Sequence, residues 1–104
     1  MQRTIKPEDF KAIADTVMVL DVRRKADIEA SSETVPGAFW KDPEHIDRWI
    51  GAVPKNHDVV IYCVRGGGVS NSVVDRLQAD GVKARFIEGG IEAYKAAGGK
   101  VISK

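Results

Sequence analysis

The chain has 104 residues, enough for one domain with one hydrophobic core and too few for two. Its 16 Lys and Arg stand against 15 Asp and Glu, a net charge of +1, which argues against general electrostatic attraction to nucleic acid or to an anionic membrane. A single cysteine leaves no internal disulfide and no cysteine-based zinc cluster. No stretch is apolar and long enough for a signal-peptide core or a membrane span, so the expected location is the reducing cytoplasm.

In chain order, Thr4-Ile5 is expected as a short edge strand. Pro7 suits the first position of a helix, where its missing N–H is not needed, and Glu8 and Asp9 complement the helix dipole. Phe10 and Ile13 give that helix its apolar stripe, and Asp15-Thr16 ends it. Val17 to Leu20 is apolar at every position, the pattern of a parallel strand covered on both faces. Asp21-Val22-Arg23 then falls at its carboxyl end. Arg23 and Arg24 are candidates for binding an anionic substrate, and Arg23 is an equal candidate for tying down a loop through carboxylates.

Asp27 to Ala30 predicts one or two helical turns, Ser31 to Thr34 a polar loop, and Val35-Pro36-Gly37-Ala38 a turn into a brief strand at Phe39-Trp40. Asp42-Pro43-Glu44 reads as a helix start, with Ile46, Trp49 and Ile50 as the buried stripe. Trp40 and Trp49 are expected in the core, because no basic stripe accompanies them as it would a base-stacking surface. Lys55 to Asp58 leads as a loop into the next strand.

Val59 to Tyr62 is an unbroken β-branched and aromatic run, expected as the central parallel strand. Cys63 follows it, then Val64-Arg65-Gly66-Gly67-Gly68-Val69, and from Ser70 a helix carrying Val73, Val74 and Leu77. In open α/β sheets ligands gather outside the carboxyl ends of the strands. A helix N-terminus adds free amides and a partial positive charge. A cysteine held there is favoured as thiolate, the nucleophilic form. A free cysteine is often only a small buried hydrophobe; strand end, glycine turn and helix start together favour the reactive reading. Cys63 is therefore the candidate nucleophile. The backbone of Val64, Arg65, Gly66, Gly67, Gly68 and Val69 is the candidate anion cradle, and the Arg65 side chain adds a nearby full charge.

Gly81 is expected to stop that helix, Val82 to Ile87 to form the last strand of the sheet, and Glu88-Gly89-Gly90 to turn into a final helix with Ile91 and Tyr94. The predicted fold class is α/β, a central parallel β-sheet with helices on both faces, in one domain spanning 1–104. His57 precedes the central strand and so sits at the opposite end from Cys63; His45 lies on a helix with its own stripe. Neither is expected to pair with Cys63 or to form a metal site. No lysine follows Gly68 as a nucleotide-binding glycine loop requires, and no cofactor is expected.

Leu20-Asp21-Val22-Arg23, Val35-Pro36-Gly37-Ala38, Val60-Ile61-Tyr62-Cys63 with the following C-x-x-G, and Glu88-Gly89-Gly90-Ile91-Glu92-Ala93-Tyr94 occur in an order that resembles the rhodanese (thiosulfate sulfurtransferase) homology domain, in its single-domain form. They look like that family's L-D-V-R, I-P-G-A, catalytic-cysteine and closing glycine-glycine segments, with Tyr94 where tryptophan is usual. The histidine that often precedes the I-P-G-A turn is absent. Six residues, Val64 to Val69, separate Cys63 from Ser70, where many single-domain sulfurtransferases have five.

The resemblance implies a persulfide carried on Cys63. Sulfane sulfur would pass from a small anionic donor such as thiosulfate to a thiol, cyanide or protein acceptor, with no nucleic acid or membrane as partner. It also leaves two alternatives open. Enlarged loops in this superfamily accompany phosphatases and arsenate reductases, which place an arginine where this chain has Val69. A non-catalytic sensor or docking module is the other.

Overall fold

The computed structural model describes residues 2–104. In chain order it begins with β1 (Thr4–Ile5), α1 (Pro7–Ile13), β2 (Met18–Asp21), α2 (Lys25–Ala30), β3 (Glu33–Thr34) and β4 (Phe39–Trp40). There follow α3 (Ile46–Trp49), β5 (Asp58–Tyr62), α4 (Gly68–Ala79), β6 (Lys83–Ile87), α5 (Gly90–Ala96) and β7 (Ile102–Ser103). Five strands make a sheet in the order β1-β6-β5-β2-β4, parallel at every pairing, with β5 in the centre. Leu20 lies opposite Ile61, and Asp21 opposite Tyr62.

The apolar run of β5 has two jobs because side chains alternate across a strand. Val59, Ile61 and Cys63 pack on one face with Leu20, Val22, Val73, Val74, Leu77 and Trp49. Val60 and Tyr62 pack on the other with Phe10, Val19, Ile87, Ile91 and Tyr94. So α3 and α4 cover one face, α1 and α5 the other. Both are needed, since a strand with apolar residues on both sides is stable only when neither meets water. The helix starts follow their local chemistry: Pro7 opens α1, and the Asp42 carboxylate accepts from the Glu44 N–H at 2.9 Å before α3. The Asp42 segment is less regular than its sequence predicts, with α3 only a single turn between 3₁₀ turns at Pro43–His45 and Ile50–Ala52.

Two expectations are corrected. Glu33-Thr34 is not a loop: it pairs antiparallel with β7, Glu33 opposite Ser103 and Thr34 opposite Ile102. That ladder joins segments distant in sequence, so neither carries a local signal. Trp49 is buried, but Trp40 is not in the core. It stands on the outermost strand, where its indole N–H donates to the Arg23 carbonyl at 2.8 Å, and its neighbour Phe39 is 62% exposed.

The carboxyl ends of β2 and β5 are locked by a buried polar network. The Arg23 guanidinium is 2% exposed and donates to both Asp21 carboxylate oxygens, at 2.7 and 3.0 Å, and to the Glu33 carbonyl at 3.0 Å. Burial discourages its charge, but the Asp21 carboxylate more than offsets that, so its pKa is raised. The Tyr62 hydroxyl donates to Asp21 at 3.0 Å and accepts from the Val35 N–H at 3.3 Å, with Thr34 Oγ1 at 3.1 Å. Breaking such a buried pair by removing one partner typically costs about 3–5 kcal/mol, because a charge is left unpaired.

Burial and the neighbouring Asp21 charge push the Tyr62 hydroxyl up to about 12. Because this folded value lies above the ordinary one of about 10, the stability it contributes is complete below pH ~10 and lost as pH rises through about 12. In a Tyr94→Phe variant, which leaves Tyr62 as the sole tyrosine, absorbance titration of the native protein should show no tyrosinate until well past pH ~10. Half-ionisation near pH 10 would contradict this network. Tyr62→Phe should cost about 1.5–3 kcal/mol at neutral pH, the range for a hydrogen bond to a charged group.

Candidate active site

Cys63 directly follows β5 at the carboxyl edge of the sheet, as its sequence position predicts, and the residue is only 6% exposed. Its sulfur receives two hydrogen bonds. The Gly66 N–H donates at 3.2 Å from within the loop, and the Ser70 hydroxyl donates at 2.9 Å from the first turn of α4. Ser70 is wholly buried, so its one short polar side chain is dedicated to this contact. The twelve-residue α4 begins at Gly68 and directs its N-terminus at the same place, where free amides and the helix dipole favour negative charge.

The loop is shaped from outside as well as within. The first amides of α5 turn back onto the strand end: the Ile91 N–H donates to the Cys63 carbonyl at 3.0 Å and the Glu92 N–H to the Val64 carbonyl at 3.3 Å. This docking needs a residue without a side chain at position 90. A Cβ on Gly90 would lie 2.5 Å from both carbonyl oxygens, and its φ is +65°. Gly66 is equally constrained, at φ +71° and with a Cβ position 2.9 Å from the Gly89 nitrogen. The rest of the glycine run is different. Gly67 and Gly68 have negative φ and open space for a Cβ, but Gly67, at φ −90° and ψ −140°, lies outside the β and α regions, so backbone geometry favours glycine at 66 and 67 and not at 68.

Above the sulfur is an open depression of about 430 Å³ lined by Arg24, Asp27, Cys63, Val64, Arg65, Gly67, Gly68 and Val69. The sequence places Val64 to Val69 around the cysteine and the structure does the same; of their amides, Gly66 supplies the one that bonds the sulfur. The Arg65 side chain is 81% exposed at the edge of the loop, with Nε 3.0 Å from a Glu92 carboxylate oxygen. Val69 turns inward against the apolar face under α4. Arg23 does not line this depression; of the two roles open to it, the carboxylate tie is the one its side chain makes. His45 and His57 are both exposed and away from the depression. Sequence reasoning missed Ser70, seen only as the helix opening, and Asp27; a serine in the first turn of the helix that follows the candidate nucleophile was the available signal for the first.

The rhodanese-like domain model matches residues 6–97, most of the chain. The chain belongs to the rhodanese-like domain family. Among curated proteins it is 30% identical over 98 residues to the adenylyltransferase and sulfurtransferase UBA4 of Yarrowia lipolytica, covering 89% of this chain but 24% of that one. The chain thus spans about a quarter of that relative's length. Among solved structures, a rhodanese-related protein from Thermoplasma volcanium superposes with a TM-score of 0.88 at 19% identity, covering 99% of this chain and all of the other. A rhodanese-like domain protein from Staphylococcus aureus gives 0.80 at 27% identity, covering 98% and 100%. A Rhodopseudomonas palustris protein described as a possible tyrosine phosphatase gives 0.77 at 27% identity, covering 96% and 84%. The rhodanese-like fold, a five-stranded parallel sheet with helices on both faces, is therefore shared across the whole described chain.

Gly90→Ala should cost about 1–2 kcal/mol for the left-handed backbone and about 1–3 kcal/mol more for the overpacked contact. It should also slow alkylation of Cys63, since the loop must shift. Gly68→Ala, in the first turn of α4 with open space around it, should leave stability within about 0.5 kcal/mol of wild type. Equal destabilisation by the two would show that the α5 docking does not shape the loop.

Proposed function

We propose that this protein is a sulfurtransferase in which Cys63 carries sulfane sulfur from a small anionic donor, such as thiosulfate, to a thiol, cyanide or protein acceptor. The observation that carries the reading is the cysteine's setting. A lone thiol sits at a strand end with two donors on its sulfur and a helix N-terminus behind it, under an open depression. Covalent catalysis needs an activated nucleophile and donors placed where charge accumulates. The two donors on Sγ serve the start and the end of the cycle, when Cys63 attacks as thiolate and when it is released as thiolate.

The first half-reaction is a displacement. The Cys63 thiolate attacks the outer sulfur of thiosulfate, a sulfur–sulfur bond forms, and the bond to the sulfonate breaks with its electron pair leaving as sulfite. In the second, an acceptor thiolate or cyanide takes the terminal sulfur and Cys63 returns as thiolate. No oxidant or metal enters either step. The loop backbone from Val64 to Val69 would line the space of the persulfide, with Gly66 and Ser70 holding the cysteine sulfur.

A second reading, hydrolysis of a phosphate ester, is favoured by the six-residue loop and by the likeness to the possible tyrosine phosphatase. Against it stands Val69. Phosphoryl transfer relies on clamping charge spread over three oxygens, and a guanidinium grips two of them at once. Valine offers no donor, its side chain packs into the core, and Arg65 is drawn away to Glu92. The third possibility, a domain that docks without turnover, gives no use for a buried serine hydroxyl aimed at the thiol.

Intact mass after exposure to thiosulfate should show one added sulfur on wild type and none on Cys63→Ser. Wild type should release sulfite in the presence of cyanide while hydrolysing aryl phosphate no faster than Cys63→Ser. Phosphatase turnover that needs Cys63, with no persulfide formed, would overturn the assignment; inactivity in both assays would favour docking.

A further inference from the structure

We infer that Arg24 is the residue that selects the anionic end of the molecule reacting at Cys63, and that Asp27 opposes it from the same rim. This deepens the sulfur-transfer reading by assigning a site for the donor's charged group. Its test does not require that sulfur be transferred.

Three ionised side chains line the depression over Cys63: Arg24, Asp27 and Arg65. Arg65 is paired with Glu92 at 3.0 Å. Arg24 and Asp27 form no ion pair among the described residues. The neighbouring Arg23 is spent inside the fold on Asp21. One unpaired guanidinium therefore faces the reaction space, on the residue that precedes α2, with a carboxylate three residues on in the first turn of that helix.

The direction of the chemistry matches that placement. The nucleophile lies at the bottom of the depression, where Gly66 and Ser70 bond its sulfur. Displacement at sulfur proceeds with attacking and leaving groups in line, so the leaving sulfonate must project away from Cys63 toward the rim. A charge at the rim then meets the leaving group rather than the sulfur that is transferred. Arg24 attracts it and Asp27 repels it. The selectivity belongs to the pair, and substitutions at the two positions should act in opposite directions.

Both side chains are exposed, so each substitution tests charge without emptying the core. Iodoacetate and iodoacetamide deliver similar alkyl groups to Cys63, one with a carboxylate and one without, and the ratio of their rates reads charge selection at the sulfur directly. Arg24→Gln should lower that ratio about threefold, the scale of one solvent-exposed charge interaction. Asp27→Asn should raise it. Lys25→Gln, which removes a cation of the same helix that does not line the depression, should leave it unchanged. With thiosulfate, kcat/KM should fall for Arg24→Gln by a similar factor, and the difference should shrink as salt is raised. An unchanged alkylation ratio in Arg24→Gln, or an equal fall in Lys25→Gln, would overturn the assignment. A ratio that falls as expected in a protein forming no persulfide would instead support the rim and overturn the sulfur-transfer reading.

Discussion

The backbone carbonyls of Cys63 and Val64 end on the N-terminal amides of α5, and the loop over the cysteine takes its shape from that contact. Two carbonyls that would otherwise face the ligand space are turned away and satisfied. The chain can then reverse at Gly66, whose N–H comes to the sulfur, and run into α4, whose Ser70 closes the other side. These helices lie on opposite faces of the sheet, so Cys63 is where two layers meet across one strand end. A buried polar group left without a partner costs far more than a made hydrogen bond returns. For that reason the loop has little freedom to relax around a changed neighbour, and a single methyl group at position 90 is enough to disturb it.

A second constraint acts beside the first. Asp21, Arg23 and Tyr62 form a charged network at the ends of two adjacent strands, and it reaches β3 through Thr34 and the Glu33 carbonyl. A buried ion pair is weak evidence for net stability, since desolvation can cancel its attraction. Its effect here is geometric. It fixes where the carboxyl edge of the sheet ends, and it removes Arg23 from the surface. The charges near the cysteine are thereby divided: one arginine sealed within, one tied to α5, and one at the rim with no ion pair among the described residues.

The widened loop belongs to the same economy of space. Six residues between Cys63 and Ser70 give more room than five, yet the last of them, Val69, is used to seat the loop on the core. The cradle is larger without gaining a cation inside it. On the proposed sulfur-transfer reading, such a site relies on backbone amides, a hydroxyl and a helix terminus, which suits charge concentrated on one sulfur better than charge spread over three phosphate oxygens.

How much of this was legible in the chain depended on how local the physics was. Pro7, the Asp42 cap, the apolar run from Val59 to Tyr62 and the glycine turn after Cys63 each act over a few residues, so composition and periodicity were enough to place helices and strands and to set Cys63 at a strand end before a helix. Four short motifs in order were enough for the family. Tertiary structure decided what depended on distant partners. Pairing of β3 with β7 joins residues that share no local pattern, and an outermost strand leaves Trp40 exposed despite its apolar ring. Arg23 and Arg24 are adjacent and chemically identical in sequence. One meets a buried carboxylate and the other lines the open depression, because adjacent side chains of an extended segment point to opposite sides and only the packed neighbours determine which partner each meets. Ser70 became part of the site for the same reason: its hydroxyl is unremarkable in a helix start until the fold brings a sulfur within 2.9 Å.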